Sequence, residues 1–140
     1  MTILSHCGIQ KAFFKSCSNA PKFFIFAGDE IMLIDVRTYR CKPGTINDHL
    51  ALYEKFGRSP QYRCLGNPVA FLRGETGNPN EFVHIWIYEN AGDREAKGSL
   101  LWSDSEWLSY TKKSAELGAL EHQENKLMVP TGFCPLSMKG

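Results

Sequence analysis

The sequence predicts an α+β fold with the element order β-α-β-β-α-β. Three observations carry it: the alternating run Phe82 to Tyr88, the helically spaced apolar residues that follow Thr45, and the turn-rich stretch that joins two strand-like runs before Phe82. In the run FVHIWIY, side chains of period two fall on opposite faces, so Val83, Ile85 and Ile87 make one purely aliphatic face. Phe82, His84, Trp86 and Tyr88 make the other, which is aromatic with polar tips. A strand of this composition is buried on both sides.

The remaining elements follow in order. Ile31 to Arg40 alternates as a first strand, with Met32, Ile34, Val36 and Thr38 on one face and Leu33, Asp35, Arg37 and Tyr39 on the other. Lys42-Pro43-Gly44 breaks it. Thr45 is placed to cap a helix of about Thr45 to Phe56, with Asp48 three residues on as a weak capping box and Ile46, Leu50, Tyr53 and Phe56 forming its apolar stripe. Arg58 to Gln61 reads as a polar connection. Val69 to Glu75 is the second strand, and Thr76-Gly77-Asn78-Pro79-Asn80 turns it into the third as a hairpin. Asp93 to Trp102 and Glu106 to Leu117 read as helices, the latter opening after Asp104-Ser105 and ending at Gly118. Glu121 to Met128 is the last strand.

This order is that of the ferredoxin-like split arrangement, an antiparallel sheet with helices on one face only. The face without helices is expected to be the one carrying Arg37, Tyr39, His84, Trp86 and Tyr88. So aromatic a patch is not left in water, and a second copy of the same sheet would cover it, closing a homodimeric barrel.

The chain has 140 residues, enough for one domain with a real core. With 16 Lys and Arg against 15 Asp and Glu, the net charge of +1 argues against nucleic acid or a polybasic membrane patch as partner. No apolar run approaches the roughly 20 residues that span a bilayer. Five widely spaced cysteines without a C-x-x-C pair signal neither a disulfide framework nor a zinc knuckle, so a reducing, cytoplasmic compartment is expected. Residues 1–30 stand apart as a leader or extension, basic up to Gly28 and free of acid over that stretch. Three readings apply: a secretory signal, disfavoured because Phe23 to Ala27 is too short for an h-region; a mitochondrial presequence, though without arginine; or a chain whose functional start is Met32. The third is preferred, since Gly28-Asp29 can be encoded by a purine-rich run resembling a ribosome-binding site.

Four blocks add a resemblance. Asp35 to Thr45 (DVRTYRCKPGT), Asn80 to Glu89 (NEFVHIWIYE), Asp93 to Ala96 (DREA) and Leu127 to Leu136 (LMVPTGFCPL) fall in the order in which they occur in NIPSNAP proteins, and the chain from about residue 31 to residue 136 resembles that family. The resemblance implies a dimeric α/β barrel of ferredoxin-like subunits, with no agreed reaction for the family and a mitochondrial location for its animal members. The closing motif departs from the usual P-T-S-F-S-P: Gly132 and Cys134 stand where two serines are common.

The candidate site lies on the aromatic face. His84 is a candidate catalytic base, having an ordinary pKa near neutrality; packing as a hydrogen-bonded core histidine is the alternative. Arg37 is a candidate ligand anchor for a carboxylate, enolate or phenolate, or else the partner of Asp35 or Glu89. Tyr39, Trp86 and Tyr88 are candidate ligand-binding walls, with Phe82 beside them, or else plain core. His49 and His122 are expected to see solvent, and Asp93 to Lys97 reads as a solvated helix face. No metal-ligand spacing, nucleophile elbow or phosphate loop is present, so no metal or cofactor is expected. Three functions remain open: a small aromatic or carboxylated ligand in the barrel cavity, a cofactor-independent oxygenase or isomerase using His84, or a non-catalytic scaffold dimer.

Overall fold

The computed structural model describes residues 32–136, and the expectations for the leader at residues 1–30 lie outside them. The chain runs β1 (Leu33–Cys41), α1 (Ile46–Leu52), a π-helical turn (Tyr53–Gly57), α2 (Arg58–Leu65), β2 (Ala70–Arg73), β3 (Glu81–Tyr88), α3 (Ala91–Ser103), α4 (Ser105–Leu117) and β4 (Leu120–Met128). The four strands form one antiparallel sheet in the order β2-β3-β1-β4. The expected α+β, ferredoxin-like arrangement is the one observed. Among the described residues no helix is long and apolar enough to cross a membrane.

The first helical region is longer than the sequence reading had it. Arg58 to Gln61, read as a connection, instead continue the helix as part of α2 (Arg58–Leu65), reached through the π turn. Pro60 accounts for the irregularity: a proline has no N–H to give, and its ring crowds the carbonyl four residues back, here that of Phe56, so the backbone widens there. Thr45 does not cap α1 with its side chain; its hydroxyl donates to the Lys42 carbonyl at 2.8 Å. The caps lie elsewhere. The Asn90 side chain accepts from the Asp93 N–H and opens α3, while Asp104 accepts from the N–H groups of Glu106 and Trp107 and opens α4. As expected, α4 ends at Gly118, whose φ of 61° is left-handed.

Register settles which sheet face meets the helices, and it reverses the expectation. Asp35 pairs with Trp86, Arg37 with His84 and Tyr39 with Phe82, so these side chains share one face. On it Phe82, His84, Trp86 and Tyr88 are all buried. The core there comprises Trp86 and Tyr88 with Tyr53, Leu65, Leu101, Trp107 and Tyr110 from the helices, and a second cluster of Cys41, Ile46, Phe82 and Ala119. The aromatic face is therefore roofed by the subunit's own helices, and the expected covering of it by a second copy is incorrect. Val83, Ile85 and Ile87 of β3, with Ile34 and Val36 of β1, occupy the helix-free face and are half-exposed. The physical reason is bulk: large rings fill the deep space between sheet and helices, whereas short branched side chains make a shallow, flat surface.

A candidate ligand cavity between sheet and helices

The roof does not fill the space beneath it. A cavity of about 380 Å³ lies between the central strands and helices α1, α3 and α4. Its floor is Arg37 and Tyr39 of β1 with Phe82 and His84 of β3. His49, Tyr53 and Gln61 come from the first helical region, Trp107 and Tyr110 from α4, and Leu120 and Gln123 of β4 close one side. Trp102 stands at the rim, largely exposed.

The candidate residues divide. Arg37, Tyr39 and His84 line the cavity, as does Phe82. Trp86 and Tyr88, taken as pocket walls, do not; they lie farther along β3, 1% and 0% exposed, within the core. Tyr88 still takes part at one remove, its hydroxyl accepting from Arg37 Nη2 at 3.3 Å.

Arg37 is not a free cation. Its Nε and Nη2 both donate to Oδ2 of the fully buried Asp35, at 3.1 and 2.9 Å, and Arg94 Nε donates to the same oxygen at 3.2 Å. Of the partners weighed from the sequence, Asp35 is the one found. Arg94 sits in the segment read as a solvated helix face. It instead turns inward from α3, while Asp93 and Lys97 form an i, i+4 pair at 2.8 Å. Burial works against the Arg37 charge, but the Asp35 hydrogen bond and charge outweigh it and raise the guanidinium's pKa.

His84 does not keep a near-neutral pKa. Burial, then the nearby Arg37 charge, then His49, push it down to about 3, so the ring is neutral at physiological pH. It packs among rings, 3.9 Å from Phe71 edge-on and 5.2 Å from Tyr39, Tyr53 and Phe82.

His49 is the residue that sequence reasoning missed. Expected in solvent, it is 2% exposed, its ring 5.3 Å from that of Phe82, and burial lowers its pKa too. The signal was present: Ile46, His49 and Tyr53 recur at i, i+3, i+7, one helical face. His122 is exposed as expected. Gln61, in the stretch read as a connection, is buried and accepts a 2.7 Å hydrogen bond from the Tyr53 hydroxyl. No cluster of metal-ligating side chains occurs among the described residues.

Comparison with known proteins agrees with the motif resemblance. The NIPSNAP family model matches residues 34–135. A NIPSNAP family protein of unknown function from Agrobacterium tumefaciens is similar in structure at 38% identity, with a TM-score of 0.70 over 77% of this chain and 96% of that one. An uncharacterised NIPSNAP-like domain protein from Burkholderia xenovorans gives 27% identity and a TM-score of 0.70 over 76% and 91%. A putative antibiotic biosynthesis monooxygenase from Nitrosomonas europaea, 14% identical with a TM-score of 0.53 over 77% and 96%, shares the fold alone. Nothing among curated proteins matches.

Proposed function

The chain belongs to the NIPSNAP family, and on that premise we propose that it binds a small aromatic or carboxylated molecule in the cavity beneath its helices, one per subunit of a homodimer. The observation that carries this reading is the cavity itself. About 380 Å³ falls within the range of small-molecule sites, and its walls combine many rings with a few convergent polar groups, Arg37, His49 and His84 among them.

The oxygenase alternative asks His84 to act as the base. A ring whose pKa is about 3 would take a proton from a phenol of pKa ~10 only at a cost on the order of 9 kcal/mol. Binding needs only that the imidazole be neutral and hydrogen-bonding, so the observations favour it over proton abstraction.

The homodimer is carried over to the other sheet face. Ile34, Val36, Val83, Ile85 and Ile87 form an aliphatic patch without helices. Register places Glu124 and Lys126 of β4 at its border, where they pair with each other at 3.2 Å and offer both signs of charge to a self-complementary two-fold contact. Cys41, Cys64 and Cys134 are free thiols, which suits a reducing cytoplasmic setting; a mitochondrial one remains tied to residues 1–30.

Native mass spectrometry of the protein from its own cells tests the binding reading. A small organic molecule should be retained at one copy per subunit, and the Ser114→Phe variant, which adds a ring at a half-buried position of the cavity lining, should lose it. Retention by that variant, or wild-type protein that carries nothing and takes up no aromatic probe, would sink the proposal.

A further inference from the structure

The polar groups of the cavity are biased toward donors, and the bias points to a class of occupant. No Asp or Glu lines it among the described residues. Asp35, outside the lining, holds Arg37 and is engaged by two guanidinium groups. The Gln61 side-chain oxygen is taken by the Tyr53 hydroxyl, which leaves the amide NH₂ as what Gln61 has to offer.

The two imidazoles strengthen the bias. Nδ1 of His49 and Nδ1 of His84 are each shut off from solvent without a hydrogen-bond partner among the described residues. A buried, unpartnered N–H is costlier than a buried lone pair, and an imidazole, unlike the equally unpartnered indoles of Trp86 and Trp107, can move its proton, so we assign the proton of each neutral ring to Nε2. Nε2 is also the nitrogen left free to meet an occupant. Both rings therefore act as donors, flanking Phe82 at centroid distances of 5.3 and 5.2 Å. The hydroxyls of the lining adapt either way, and Gln123, whose Nε2 donates to Asn125 Oδ1 at 3.5 Å, adds one amide oxygen as an acceptor at the exposed β4 side.

We propose that the occupant is an uncharged planar aromatic molecule that presents carbonyl-type oxygens to the imidazoles of His49 and His84, its ring system lying among Tyr39, Phe82, Trp107 and Tyr110. This rests on the reading of the cavity as a binding site and narrows it. A carboxylate must compete with Asp35 for Arg37, whose Nε and Nη2 are already engaged, although Arg94 shares that anion and leaves one positive charge over; an amine would set donor against donor.

Four molecules built on one tricycle test this by equilibrium dialysis: 9-fluorenone, fluorene, 2-aminofluorene and fluorene-9-carboxylate. A hydrogen bond accepted in a partly enclosed site is worth up to about tenfold in affinity, so 9-fluorenone should bind several-fold to roughly tenfold tighter than fluorene or 2-aminofluorene. In His84→Phe and His49→Phe, each keeping a ring in place, the ratio of ketone to hydrocarbon affinity should shrink. The wild-type series alone carries the test if a variant fails to fold. Equal binding of the ketone, hydrocarbon and amine would overturn the carbonyl assignment while leaving a ligand cavity. Tightest binding by the carboxylate would overturn it in favour of Arg37 as anchor. No binding by any of the four would overturn the assignment, and together with an empty native protein it would remove the binding reading as well.

Discussion

Asp35 and Arg37, two residues apart on β1, are joined by two hydrogen bonds to a single carboxylate oxygen, and Asp35 is fully buried while its Oδ1 has no partner among the described residues. Arg94 of α3 reaches that same oxygen, so the carboxylate ties the sheet to a helix that bounds the cavity. Two guanidinium groups thus depend on one buried anion. Removing one partner of a buried ion pair leaves the other uncompensated, at a typical cost of about 3–5 kcal/mol. Asp35→Asn should lower unfolding stability by roughly that amount in urea titration. A loss below ~1 kcal/mol would mean that the two arginines find other partners.

Acid should destabilise the fold through His84. Its pKa is about 3 in the folded protein against 6.5 ordinarily, so below pH 6.5 the unfolded chain takes up a proton that the native ring refuses. The unfolded state then binds more protons, and stability falls as pH drops from about 6.5 toward 3, levelling below that. His49, lowered by burial, adds in the same direction. The slope from one such group approaches ~1.4 kcal/mol per pH unit. Carboxylates titrate in part of this window, so the informative measurement is the difference in denaturant midpoint between wild type and His84→Phe at pH 7, 5 and 4. That difference should shift in favour of the variant as pH falls; a constant difference would show that His84 is protonated in the native state.

How much of this was legible beforehand follows from what alternation can and cannot encode. Period two in FVHIWIY separated the two faces of β3 correctly, and Gly118 and Asp104 marked the ends of α4 as expected. Which face meets the helices is not written in the strand, because both are apolar. It depends on the volume that the helices leave, and the bulky face won. The continuation into α2 was hidden by Pro60, whose usual effect is to end a helix rather than to widen one turn of it. For the site, Arg37, Tyr39 and His84 came from the strand pattern. His49 is hard to read because a polar residue in an amphipathic helix is ordinarily solvated, and only its spacing from Ile46 and Tyr53 marks it as facing inward. The inward turn of Arg94 has no sequence signature within its charged block; only the third dimension sets it over Asp35.

Gly57 is needed for its missing side chain. A Cβ there would come within 2.8 Å of Tyr53 Cδ2 and 3.1 Å of the Tyr110 ring. Its φ is not positive, so the restriction is packing and not backbone. Alanine would gain up to ~1 kcal/mol of helix propensity and lose about 1–3 kcal/mol to overpacking. Gly57→Ala should therefore be destabilised by about 1 kcal/mol net. Because Tyr53 and Tyr110 both line the cavity, the change should also weaken ligand uptake. A more stable variant with unchanged binding would show that both rings can step aside.

The oligomeric state offers the sharpest test of the reversed faces. Ile85 lies at the centre of the helix-free face, paired with Val36 of β1 and Ala70 of β2, and far from the cavity side of the sheet. If two copies meet there, a charge at that position would be buried unpaired in both halves of the contact, and association would be lost. Ile85→Asp should run as a monomer in light scattering at concentrations where wild type is dimeric, and in that monomer Trp86 and Tyr88 should remain as protected as before, since the subunit's own helices cover them. Wild type found monomeric at high concentration, or Ile85→Asp found still dimeric, would move the contact off this face. Hydrogen exchange measured on both proteins separates the two possibilities: dimer formation across this face should slow the amides of β4, the edge strand whose residues are almost all exposed, which the variant should leave fast.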